Sequence, residues 1–309
     1  MEQLDPKWIA GFWRRSGAIL IDLIIIGTIG FLLGLALENV FVQLGGWGRL
    51  IGFVIALLYF GILNSKLAHG QTLGKKLLKI KVVNAANEPI SIGRSCIRYS
   101  IIALPFFLNG AHFGNEAMFS IAIYPLSLIV FGGLLSIVYL FIFNKATRQS
   151  LHDLIVGTYV VNSEVARQET NKIWNGHLAI VAIFCLAAAV VPAFTSQLSE
   201  KEPFKNLLAV QSALTNEPNI SYVNATTGTT YFSNDEGTKE TTYVNVQVFL
   251  DQNNVQDTEL AKKLAQIVMA NYADAKNTDI VQVVLTYGYD IGIASQWVYF
   301  SHRFQPNEL

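Results

Sequence analysis

Asp22 is the one charged residue in the apolar run Ser16–Leu37, and Arg15 lies seven residues before it. Seven residues make two helical turns and a rise of about 10 Å, so both side chains leave the same helix face at different depths. Arg15 can snorkel toward water, whereas Asp22 is too short to do so. A carboxylic acid at that depth must be protonated, bound to a cation, wetted by a cavity or hydrogen-bonded from other helices. The chemistry open to it is exchange of a proton for a monovalent cation. A second carboxylate, Asp153, sits in RQSLHDLIVGTYVV (148–161), where Leu151, Leu154 and Ile155 share one helix face and Gly157 can end the turn. His152 beside it is a candidate proton relay. In GQTLGKKLLKIKVV (70–83) the cations Lys75 and Lys76 are expected to face phosphate headgroups, ahead of a strand, a polar turn at 84–87 and a second strand.

These residues need a membrane to position them. The 309-residue chain is 52% hydrophobic and 14% charged, against about 25% charged in soluble domains. Crossing a core of roughly 30 Å takes about 20 mostly apolar residues. Five runs approach that length: Ser16–Leu37, 49–65, 99–115, Ala117–Asn144 and Ile173–Ser199. The third is short and contains Pro105, so it reads either as a full span or as a re-entrant helix. Residues 1–195 hold fifteen Lys and Arg, and fourteen of them fall on one side of this arrangement, with Arg49 the exception. Basic loops mark the cytoplasmic side. Five crossings then leave the amino terminus cytoplasmic and the tail extracytoplasmic, while a re-entrant third run would place the tail inside. Trp8, Phe12 and Trp13, next to Arg14 and Arg15, have the mix expected at headgroup level.

Arg15 with Asp22 seven residues on, the GQT-x-GK segment with its strand, and LHD followed by GT-x-VV together resemble the RDD family of prokaryotic membrane proteins over about residues 8–162. The family is named for one Arg and two Asp, and by motif position these are Arg15, Asp22 and Asp153. The resemblance implies a multi-pass protein of the prokaryotic cytoplasmic (inner) membrane. Some members are reported as sodium/proton antiporters, so the resemblance permits a transport reading. The extra span and polar tail beyond residue 162 depart from it.

Residues 196–309 carry seven basic and thirteen acidic side chains, which removes the electrostatic basis for nucleic-acid binding. A helix at 200–215 precedes short strands at Ile220–Asn224 and Thr229–Ser233, which are separated by a Thr-Gly hairpin signal. A turn at 234–237 and a strand over Tyr243–Leu250 follow. Asp257 can cap the next helix, and two more strands lie at Ile280–Tyr287 and Ile293–Phe300. The expected fold is a polytopic α-helical membrane bundle of about five spans plus a C-terminal soluble α+β domain. The divisions are 1–162 for the RDD-type part, 163–199 for a cytoplasmic linker and the last transmembrane helix, and 200–309 for the extracytoplasmic domain. Neither cysteine belongs to a disulfide framework, and no metal spacing, cofactor motif or nucleophile is recognisable, so an enzyme is not expected.

Two readings of the carboxylates stand side by side. In one, Asp22 and Asp153 form a site for Na⁺ and H⁺, and so thin an inventory would require an oligomer. In the other, Arg15 clamps Asp153 and Asp22 is neutral and hydrogen-bonded, while the tail binds another envelope protein and the whole acts as a scaffold.

Overall fold

The structure, a computed structural model, describes residues 7–110, 121–234 and 237–309. It forms two compact units. One comprises Met1–Leu35, Gly46–Pro192 and Ile291–Ala294, and the other Ala36–Gly45, Ala193–Asp290 and Ser295–Leu309.

The chain begins with helices α1 (Phe12–Leu44), which belongs to the first unit as far as Leu35, and α2 (Gly48–Leu63), with a 3₁₀ turn at Gly45–Trp47 between them. Beyond them lie α3 (Leu73–Leu77), α4 (Ile92–Leu108), α5 (Ile123–Phe143), α6 (Leu151–Val156) and α7 (Asn175–Ser199). Helix α1 departs from helical geometry at Leu37 (φ −129°), and α5 carries a π turn over Leu128–Gly132, between Pro125 and Gly133. Three helical stretches are long and apolar enough to cross a membrane: 12–63, α5 and α7. Helices α2 and α4, at 16 and 17 residues, fall below the roughly 20 that a crossing needs. The part of the expected third run at 111–115 lies outside the described residues. Leu20, Leu23, Ile24, Phe31 and Leu32 are exposed on α1, and lipid is the solvent that suits such a face. The chain is an integral membrane protein.

A small ribbon completes this unit. Strand β1 (Ile80–Asn84) pairs antiparallel with β2 (Thr158–Asn162), with Val82 opposite Val160. The second strand expected after Asn87 does not form. Asn84 instead accepts from the amides of Ala86 and Glu88, closing a local turn, and β1 takes its partner from 78 residues downstream, where Val160 faces Val82. Residues 8–10 join the ribbon through an Ile9–Val161 bridge, which buries Trp8 against Val83 and Val161. Trp8 is therefore part of the ribbon's core, whereas Trp13 is exposed.

In the second unit, α8 (Phe204–Thr215) precedes β3 (Ile220–Asn234) and β4 (Gly237–Leu250), and α9 (Thr258–Asn271) precedes β5 (Ile280–Asp290) and β6 (Ser295–Phe304). The sheet order is β3-β4-β5-β6, antiparallel at both ends and parallel between β4 and β5. Asp257 caps α9 at Leu260. Val244, Val246, Val248, Leu264, Val281 and Val283 are fully buried. The two short strands expected before residue 234 are one long strand. Gly228 does not turn but pairs with Tyr243, whose hydroxyl occupies the space that a Cβ would fill. The turn residues Asp235 and Glu236 lie outside the described residues.

Candidate functional site

Asp22 is fully buried on α1, and three donors from two other segments converge on it. Tyr59 of α2 donates to Oδ1 at 2.8 Å. The amide of Gly74 donates to the same oxygen at 2.9 Å, and the Thr72 hydroxyl to Oδ2 at 2.5 Å. Thr72 is the N-cap of α3, so its oxygen also accepts from the Lys75 amide at 3.3 Å. The free amides that begin any helix are thus shared between a local cap and a carboxylate from another helix. Of the four environments open to a carboxylate at this depth, the structure uses hydrogen bonding.

The approach of α3 to α1 depends on Gly74. A Cβ at that position would lie 2.3 Å from the Ala18 carbonyl oxygen and 3.0 Å from Asp22 Oδ1. Gly74→Ala is therefore expected to destabilise the protein by about 1–3 kcal/mol, read as a lower unfolding midpoint in detergent. An unchanged midpoint would show that α3 can shift freely.

Asp153 is also fully buried, at the start of α6. Helix α6 ends at Gly157 in the left-handed region (φ 64°), as its sequence suggests. Arg98 of α4 donates to Asp153 Oδ1 from Nε at 3.0 Å and from Nη2 at 2.8 Å. Thr158 adds a third donor to that oxygen at 2.9 Å. Arg15 Nη2 reaches Oδ2 at 3.1 Å, while Arg15 Nη1 donates to the Arg148 carbonyl. Burial pushes the Asp153 carboxyl up, but Arg98, His152 and Arg15 together outweigh it and hold the group well below the usual carboxylate range.

His152 lies with Nε2 3.3 Å from Asp153 Oδ2, and its Nδ1 is buried without a partner among the described residues. Burial lowers its pKa to about 4, against a smaller upward pull from Asp153. The imidazole is therefore neutral near pH 7, and the tautomer that suits this contact carries its proton on Nε2.

Of the two lysines expected at the headgroups, Lys76 is exposed and Lys75 is buried. Lys75 Nζ lies 3.4 Å from Thr72 Oγ1 and 6.0 Å from the centre of the Phe60 ring. Residues 72–77 turn back as a helix and not as an open basic loop, which directs this side chain inward. Burial lowers the Lys75 amine to about 7, with Arg98 the next cause and Asp22 and Asp153 pulling the other way.

The structure thus gathers Arg15, Asp22 and Asp153 with Arg98, Lys75 and His152 into one buried cluster. Tyr59, Thr72 and Arg98 are the members that sequence reasoning missed. Arg98 counted there only as a cytoplasmic charge. It lies on the α4 face that also buries Ser95 and Ala103, and a cation on such a face needs an anion.

Residues 9–157 match the family described as RDD. The chain belongs to the RDD family. Its family-matched part contains the whole cluster except Thr158, and the second unit's sheet lies beyond it. The chain is also 34% identical to an uncharacterised Bacillus subtilis (strain 168) protein, YxaI, over 29% of this chain and 73% of that protein. No solved structure matches.

Proposed function

We propose that this RDD-family protein is a non-enzymatic membrane scaffold. The RDD part anchors it in the cytoplasmic membrane of a prokaryote, and the α+β unit docks another envelope protein. In this reading the chain crosses five times, with α2 and α4 as short crossings. The amino terminus is cytoplasmic, and residues 200–309 are extracytoplasmic. One observation carries the proposal: each oxygen of Asp22 and Asp153 already accepts a hydrogen bond from a protein donor. Carboxylates satisfied in this way hold helices together. Affinity capture of the full chain from gentle detergent is expected to return a stoichiometric partner that is lost when residues 200–309 are deleted. An unchanged set of partners after the deletion would end the proposal.

Monovalent cation/proton antiport, with Na⁺ as the ion and an oligomer as the working form, is the competing reading. It is favoured by the complete burial of both carboxylates in one charged cluster, since buried ionisable groups in membranes often mark proton pathways. It requires Tyr59 and Thr72 to turn their donors away from Asp22 in every cycle. Everted vesicles decide between the two. The scaffold reading expects no Na⁺-driven recovery of a pH-dye signal, whereas a recovery that is lost in Asp22→Asn would establish transport.

A further inference from the structure

Four of the five formal charges in the cluster balance, two arginines against two carboxylates, and Lys75 is left over. Its Nζ has no carboxylate within ion-pairing distance among the described residues. Its hydrogen bond goes to Thr72 Oγ1 at 3.4 Å, and that hydroxyl donates its own proton to Asp22. The groups facing the amine come from four helices around α3. They are Asp22 and Arg15 from α1, the Phe60 ring from α2, Arg98 from α4 and Asp153 from α6. A protonated amine here is a fifth, uncompensated charge in a closed space, whereas a neutral amine leaves the cluster balanced.

We infer that Lys75 is a proton-binding site of the membrane part, neutral in the balanced cluster and coupled through Thr72 to Asp22. The low-lying amine noted above agrees with this geometry. The inference holds whether the protein transports ions or serves as a scaffold, because it concerns one proton and its place in the cluster.

Full-length protein carrying ¹³Cε-labelled lysine, in lipid nanodiscs, provides the test. One lysine resonance is expected to titrate between about pH 6 and 8, with the others titrating near 10. Lys75 is the one buried lysine among the described residues, and the resonance should vanish in Lys75→Met. If no lysine titrates below about pH 9, or if the neutral-range resonance survives in Lys75→Met, the inference is wrong.

Thermal unfolding gives a second readout. An amine with a folded pKa near 7 and an unfolded one near 10.4 leaves the unfolded chain holding the extra proton between those values, so stability rises with pH across that window. The wild-type midpoint should climb from about pH 7 to pH 10, and that of Lys75→Met should stay level. Parallel profiles would overturn the proposal, and if the variant does not fold, the wild-type titration decides alone.

Discussion

Asp153→Ala is expected to destabilise the membrane part by about 3–5 kcal/mol, the usual cost of leaving a buried charge without its partner. Two guanidinium groups, both about 6% exposed, meet on this one carboxylate. Removing it leaves like charges facing each other in a low-dielectric space, with Thr158 Oγ1 losing its acceptor as well. Asp153→Asn keeps the shape but not the charge and should cost nearly as much. The companion experiment is Asp153→Leu combined with Arg98→Met, which removes one charge of each sign and is expected to recover at least about half of the loss. Chemical unfolding in detergent reads both variants. A change below about 1 kcal/mol for Asp153→Ala would mean that both arginines find water, and the cluster would not be a closed one.

The same residues give this part of the molecule a pH profile. The Asp153 carboxyl is held below its ordinary range, so its contribution is present above the unfolded pKa and is lost only as pH falls through the lower folded value. Acidification to about pH 4 should leave it intact. His152 acts earlier. Its pKa falls from an unfolded value of 6.5 to about 4 in the folded chain. The unfolded chain therefore binds the extra proton between those values, and stability declines as pH drops through that window. His152→Gln is expected to flatten the decline, as measured by unfolding midpoints between pH 7 and pH 4.

The second large effect belongs to Asp22→Ala, with an expected loss of about 2–4 kcal/mol. Thr72 and Gly74 would each keep a buried donor with no acceptor, and Tyr59 a part-buried one. The penalty is larger than that of one hydrogen bond because unsatisfied groups pay their full desolvation cost. Asp22→Asn should cost less. Its carbonyl oxygen can still accept, but its amide nitrogen must face a donor. The order of stability is therefore wild type, then Asn, then Ala. Hydrogen exchange gives a local readout, because amides of α3 (Leu73–Leu77) should lose protection before those of α5 (Ile123–Phe143). Equal loss across both helices would place the role of Asp22 elsewhere than at the α1–α3 contact.

The sequence alone determined the features that depend on contiguous residues. Apolar runs marked the three stretches long enough to cross a membrane, though not a count of five spans, and the Asp257 and Gly157 signals marked helix ends, because hydropathy and capping act within a few residues of one another. Alternation marked β4, since a half-buried strand repeats every second residue. The isolation of Asp22 in its run was enough to show that it would be buried and would need partners.

Only the tertiary structure decided who those partners are. Arg98 reaches Asp153 across 55 positions and Arg15 across 138, while Thr72 reaches Asp22 across 50. Nothing in the local pattern near any of these residues encodes the other. The strand at 80–84 illustrates the same limit: its sequence suits either a local hairpin or a remote partner, and burial of Trp8, Val83 and Val161 selects β2. Lys75 and Lys76 are chemically identical neighbours, yet one is buried and the other exposed. The short helix α3 projects adjacent side chains in different directions, and its contact with α1 settles which lysine enters the cluster.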